Sequence, residues 1–334
     1  MWSTVAYELA NRLVIGIASS ALFNLTQSDA VFRGEGEDAY RSYQEEHLGN
    51  PLEQGVAFPF VQRLLSLNNL ADSQDDPLVE VIVLSRNDPE TGLRVMRSIA
   101  HHRLEISRAI FTQGRSPYLF IPVLNMSLFL SADEDDVRRA VGQGHPAGQV
   151  LTSVYTADDS NELRIAFDFD GILAGDEAEQ VFHQQGLAGF HQHEVVNAVM
   201  PLSPGPLNQF LANINKIQQH EQRRLRDDDT YSRRVRVSIV TARSGPALER
   251  AVNSLKAWGV TVNDAFFLGG VDKGRIMKVL QPHIFFDDQR SNLVSTAKWA
   301  PSVHVPFGQA NQNAPLASAV QRKSTKHAPL EEAD

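Results

Sequence analysis

Short runs of β-branched and aromatic residues recur along the chain, separated by longer stretches whose apolar residues return every three or four positions. "LVIGIAS", "VEVIVLS", "RAIFTQ" and "SLFLSA" in the first half have the length and composition of strands, as do "RIAFDFD", "RVSIVTA", "DAFFLGG" and "HIFFDD" in the second. Between them "PETGLRVMRSIAHH" and "GPALERAVNSLKAWG" read as helices, with Pro89 and Pro246 suited to a first turn and Gly259 to a C-cap. Strands that alternate with helices pair in parallel, because the helix carries the chain back across the sheet. The pattern therefore predicts an α/β fold, a parallel sheet flanked by helices, with ligands at the carboxyl ends of the strands.

The two halves follow the same order. Ala18 aligns with Asp168, Ser85 with Thr241, Pro117 with Lys273 and Ser131 with Asp287, the last three pairs each lying 156 residues apart. We expect a duplicated α/β unit, with a degenerate first copy over residues 1–155 and a second over 156–310. The second is the half expected to do chemistry, because Ala18, Ser20 and Ser131 stand in the first where the second has Asp168, Asp170 and Asp287. Residues 176–236 hold no strand pattern; "EAEQVFHQQGLAGF" and "PLNQFLANINKIQQHEQRRL" are helical, and an insertion there is placed to close over the preceding strand end as a small cap. Residues 311–334, poor in large apolar side chains, are expected to form a disordered tail.

At 334 residues, 42% hydrophobic and 21% charged, the chain can build two or three full cores without staples. A net charge of −9 argues against a nucleic-acid polymer as partner, since phosphate backbones are held by an excess of Lys and Arg. The absence of Cys excludes disulfides, thiolate zinc sites and Cys nucleophiles, and fits a cytoplasmic setting. Residues 13–23 form the longest apolar run, too short to span a bilayer, and Glu8 spoils the positive flank of a signal peptide. No membrane is expected as a partner.

Two acids, Asp168 and Asp170, close an apolar run with one residue between them, and Gly171 follows. Like charges so close repel and lose hydration, unless a cation sits between them or a proton is to be moved. Thr241 ends "VSIVT", Lys273 follows "FFLGGVD", and Asp287-Asp288 ends "IFF". Such a set suits phosphoryl transfer. The charge on a phosphate ester repels a carboxylate nucleophile until it is neutralised, and Mg2+ does this with oxygen ligands. Asp168 and Asp287 can each supply a carboxylate oxygen and Asp170 its main-chain carbonyl, with Asp288 as a supporting candidate near the metal. Lys273 and the Thr241 hydroxyl would hold the phosphoryl oxygens, with Gly171, Ala242 and Arg243 as further substrate contacts. Asp168 is the candidate nucleophile, forming an aspartyl phosphate, and Asp170 the candidate acid and base.

This ordered set resembles the haloacid-dehalogenase-like phosphohydrolase superfamily. More closely, "RIAFDFDGILAGDEAE", "VTARS", "LKAWGV", "PHIFFDDQ" and "HVPFG" are similar to the cytosolic 5′-nucleotidase type I family. So are "GVAFPFVQRLL", "VLSRNDPETGLRVMRSI", "FTQGRSPYLF" and "LFLSADEDDVRRAV" in the first half, so that the resemblance spans roughly residues 10 to 310. It implies a Rossmannoid sheet with a cap, and Mg2+-dependent hydrolysis of nucleoside 5′-monophosphates, typically AMP, in the cytoplasm. On the family pattern Asp168 is the nucleophile, Asp170 the acid and base, Thr241 and Lys273 the phosphate binders and Asp287 the metal ligand. A homo-oligomer stays open.

Two readings compete for the residues that would meet the nucleoside. Asn87 and Asp88 in "SRNDPETG" either cap the helix that follows or face the active half together with "TQGRSP". Phe58 in "GVAFPF" either stacks a base or belongs to the core. His191 and His193 lack further ligands at compatible spacing and read as a helix surface. A phosphatase of the same fold acting on sugar phosphates or other small esters, and a nonenzymatic nucleotide-binding scaffold, are the rival functions.

Overall fold

The computed structural model describes residues 7–153 and 160–312. The tail expected over residues 311–334 therefore lies almost wholly outside the described residues. Ten strands are present: β1 (Leu13–Ile17), β2 (Val79–Ser85), β3 (Arg108–Phe111), β4 (Leu128–Ser131), β5 (Ala147–Val150), β6 (Leu163–Phe167), β7 (Val235–Thr241), β8 (Asp264–Phe267), β9 (Ile284–Asp287) and β10 (Ser302–His304). β1 and β2 are buried along their whole length, which is why they read as continuous apolar runs rather than alternating ones. The helix Pro89–His101 opens where Asp88 accepts a hydrogen bond from the Thr91 amide at 2.8 Å. The helix Gly245–Trp258 ends on Gly259 in the left-handed region, φ 68°.

All ten strands form one sheet, in the order β3-β2-β1-β4-β5-β10-β9-β6-β7-β8. Each half is parallel within itself, and the order of one mirrors that of the other. They meet at β5 and β10, which pair antiparallel with Val150 opposite Val303 and Gln149 opposite His304. Neither strand is legible in the sequence, because "AGQV" and "SVH" are short and lack a β-branched run. Gly148 allows the close approach: a Cβ there would lie 2.3 Å from a Val303 methyl.

The antiparallel seam sets the carboxyl ends of β1 to β5 along one edge of the sheet and those of β6 to β10 along the opposite edge. Asn87 and Asp88 follow β2 and so lie at the edge away from Asp168, which follows β6. This corrects the expectation that "SRNDPETG" and "TQGRSP" face the active half. Phe58 is 1% exposed and packs on Phe23 and His102, so it belongs to the core of the first half.

The halves share two further details. Glu80 of β2 pairs with Arg108 of β3 at 2.6 Å; 156 residues on, Arg236 of β7 grips Asp264 of β8 through two bonds of 2.7 Å. The signs are exchanged between the halves, and each pair puts charge beside an outer strand, where bare backbone would invite another chain. Each half also sends helices out after its first strand. In the second these are Glu177–Val196, broken at Gly186 (φ 67°, ψ −172°), and Asn208–Asp227. In the first they are Thr26–Glu35 and Glu37–Glu46, parted at Gly36 (φ 90°, ψ −172°). Among the described residues no helix is long and apolar enough to cross a membrane.

Candidate active site

β6 and β9 lie side by side, and the Asp168 amide extends their ladder by donating to the Phe286 carbonyl at 2.8 Å. Asp168 and Asp287 thus emerge together at neighbouring strand ends. Lys273, the first residue of the helix Lys273–Leu280, reaches both, its Nζ lying 2.6 Å from Asp168 Oδ2 and 2.7 Å from Asp287 Oδ2. Asp272 fixes that helix start, accepting from the Gly274 amide at 2.9 Å and the Ser295 hydroxyl at 2.6 Å. Asp287 accepts further bonds from the Gln289 amide and the Asn292 side chain.

Asp288 is buried, and neither of its carboxylate oxygens has a hydrogen-bond partner. One oxygen each from Asp168, Asp287 and Asp288 lie within 4.8 Å of one another, the one such ligand group among the described residues. Three carboxylates around one ammonium leave uncompensated negative charge out of water, which is costly unless a cation joins them. Burial pushes Asp168 up to about 7, with Lys273 opposing the shift and Asp287 adding to it. Burial raises Asp288 as well, helped by Asp168 and Asp287. Burial disfavours the Lys273 ammonium, yet the two acids outweigh it and hold Lys273 above its ordinary value. The orphaned Asp288 oxygens and the all-oxygen donor set fit a hard divalent cation. Gly171 is required beside them: its φ is +70°, and a Cβ would lie 2.6 Å from Asp288 Oδ2.

Asp170, more exposed than its neighbours, is held by Arg243 through two bonds of 2.8 and 2.7 Å. Arg243 is buried under the Phe169 and Phe190 rings and also donates to Glu194, which is fully buried on the helix Glu177–Val196. Arg250 shares Glu194 at 2.7 Å. Burial works against the Arg243 charge, but Asp170 and Glu194 raise its pKa above the ordinary value. Thr241, at the end of β7, accepts from the Arg243 amide at 3.1 Å. A cavity of about 550 Å³ opens over these groups, with Asp168, Asp170, Thr241, Arg243 and Asp288 on one side. Phe182, Leu187 and Phe190 of the helix Glu177–Val196 form an apolar wall on the other.

A sequence model of the family described as 5′-nucleotidase matches residues 5–312. The chain belongs to the 5′-nucleotidase family. Human cytosolic 5′-nucleotidase 1B is 31% identical over 283 residues, covering 83% of this chain and 46% of that protein. The chain thus spans about half the length of the curated relative it matches.

In this 5′-nucleotidase family member the structure brings Asp168, Asp170, Thr241, Ala242, Arg243, Lys273, Asp287 and Asp288 to one strand edge. Gly171 sits beneath Asp288 rather than on the cavity wall. Asn87, Asp88 and Phe58 are not part of it, as described above. His191 and His193 lie on the helix Glu177–Val196, His191 bonded to the Ser244 hydroxyl at 3.1 Å. Glu194 and Arg250 escaped the sequence reading. Their contacts link residues about fifty positions apart, and nothing in the mixed polar and apolar sequence of the helix Glu177–Val196 sets Glu194 apart from its other acids.

Proposed function

We propose that this protein hydrolyses nucleoside 5′-monophosphates, AMP among them, to nucleoside and phosphate. The observation that carries the reading is the grouping of Asp168, Lys273, Asp287 and an unpartnered, buried Asp288 below a cavity with an aromatic wall. Asp168, Asp287 and Asp288 would hold Mg2+, with the Asp170 carbonyl as a further candidate. When bound, the ion neutralises phosphoryl charge and favours ionised Asp168.

Asp168 attacks phosphorus in line, and the bond from phosphorus to the nucleoside 5′-oxygen breaks, leaving an aspartyl phosphate. Asp170 gives its proton to the departing alkoxide. It then takes a proton from the water that attacks phosphorus, releasing phosphate and restoring Asp168. Lys273 and Thr241 hold the phosphoryl oxygens in place. Phe182, Leu187 and Phe190 suit the flat apolar face of a base better than a sugar alone. On this reading residues 176–236 act as a cap that excludes water, and the first half is a degenerate copy of the second.

A panel of phosphomonoesters assayed with Mg2+ tests the proposal. AMP or another nucleoside monophosphate should be hydrolysed at least about tenfold faster than sugar phosphates, and Asp168→Asn should abolish turnover. Comparable rates on sugar phosphates would remove the nucleotide assignment, and no turnover of any ester would remove the enzyme.

A further inference from the structure

The opposite edge of the sheet carries a second cavity, of about 630 Å³, where β1, β2 and β4 end. Its floor occupies the positions that hold the acids in the second half. Ala18, Ser85, Ser131 and Ala132 stand for Asp168, Thr241, Asp287 and Asp288, and Pro117 for Lys273. The floor is therefore uncharged and rich in hydroxyls. Ser19 and Ser85 lie with their oxygens 3.0 Å apart, both buried, and the Ser131 hydroxyl accepts from the Asp133 amide at 3.0 Å.

The walls are equally informative. Phe32 and Tyr40, from the two helices parted at Gly36, meet edge to face at 5.6 Å and line the space. The Tyr40 hydroxyl donates to Asn87 Oδ1 at 3.3 Å. Three arginines reach the cavity, but each already faces carboxylates: Arg86 faces Asp136 at 2.6 Å, Arg41 faces Asp88 at 2.9 Å and Arg33 faces Asp29 at 3.9 Å. A phosphate would have to displace the close partners of Arg86 and Arg41, Arg33 being exposed and only loosely paired, and no acidic cluster at this cavity is close enough to recruit a metal to help it. What fits is a neutral molecule with one flat apolar face and several hydroxyls.

We propose that this cavity binds a nucleoside without its phosphate, reversibly and without changing it. Only the choice of a nucleoside as the neutral ligand rests on the function proposed above. The aromatic pair takes the base, and the serine floor and Asn87 take the ribose hydroxyls. The two halves thus divide the labour: the half with acids takes the phosphate ester, and the half with serines takes the uncharged product class.

Equilibrium dialysis of the full chain carrying Asp168→Asn, with Mg2+ and excess AMP, tests this using labelled adenosine, inosine and cytidine as probes. At least one of the three should bind at one equivalent per chain, with an affinity that AMP changes by less than about threefold. Tyr40→Ala, which removes a wall, and Ser20→Phe, which fills the space, should each weaken that binding at least tenfold. AMP hydrolysis by the chain with native Asp168 should stay within twofold in both variants. Failure of all three nucleosides to bind in the presence of AMP overturns the proposal, as does binding that AMP displaces or that both substitutions leave unchanged. Nucleoside binding that needs Tyr40 in a chain inert towards every phosphomonoester would sink the proposed activity and leave this site standing. Rapid AMP hydrolysis with no such binding would do the reverse.

Discussion

Asp170 and Arg243 form a two-pronged ion pair at 2.8 and 2.7 Å, and Arg243 passes the contact on to Glu194 of the helix Glu177–Val196. A carboxylate so held can only accept hydrogen bonds. To protonate a leaving alkoxide, Asp170 must release the guanidinium, take up a proton from solvent and turn to the substrate oxygen. Asp170→Asn should therefore lower kcat on AMP by about 10²- to 10⁴-fold. With p-nitrophenyl phosphate, whose leaving group needs no proton, the loss should shrink markedly. Steady-state kinetics on both esters make the comparison, and equal losses would deny Asp170 its acid role.

Glu194 is a buried anchor shared by two guanidinium groups, both of them buried as well. Glu194→Gln keeps the shape but takes the carboxylate partner from Arg250 and leaves Arg243 with Asp170 alone. Urea unfolding should show a loss of about 3–5 kcal/mol, the range for breaking a buried pair.

Among the site acids described, Asp288 is buried with no hydrogen-bond partner on either oxygen. Without metal, Asp288→Asn should stabilise the protein, because it removes a buried charge that Asp168 and Asp287 repel. With Mg2+ the order should invert, since the parent alone gains the ion's binding energy, about 2.7 kcal/mol at a hundredfold excess over Kd. Melting curves in chelator and in Mg2+ read both effects.

Gly171→Ala combines a left-handed backbone with a contact of 2.6 Å to Asp288. We expect a cost of about 1–3 kcal/mol in denaturant unfolding, together with weaker Mg2+ binding, because Asp288 has to move.

The exchanged edge pairs supply a control far from the chemistry. Arg236→Asp alone sets two carboxylates together and should cost up to about 1 kcal/mol. Adding Asp264→Arg reproduces the arrangement of Glu80 and Arg108 in the other half and should restore parental stability.

Eight of the ten strands and the whole acidic edge were legible because buried strands advertise themselves as apolar runs, and acids at their ends have few other uses. Asp88 could be read as a cap because capping is local. The seam could not be read: Ala147–Val150 and Ser302–His304 are short, and their pairing with each other joins residues more than 150 positions apart. Missing them also hid the orientation of the halves, and with it the distance of Asn87 from Asp168. Glu194 and Arg250 were hidden for the same reason, their meaning lying wholly in tertiary contact.

β10 is bonded to β5 on one flank and to β9 on the other, while the Val305 amide holds the Asp287 carbonyl and the His304 ring holds that of Asp288. A torque that passes between the halves through this seam therefore crosses three residues before reaching Asp287 and Asp288. The seam between the halves is also a direct mechanical lever on the acids proposed to hold the metal.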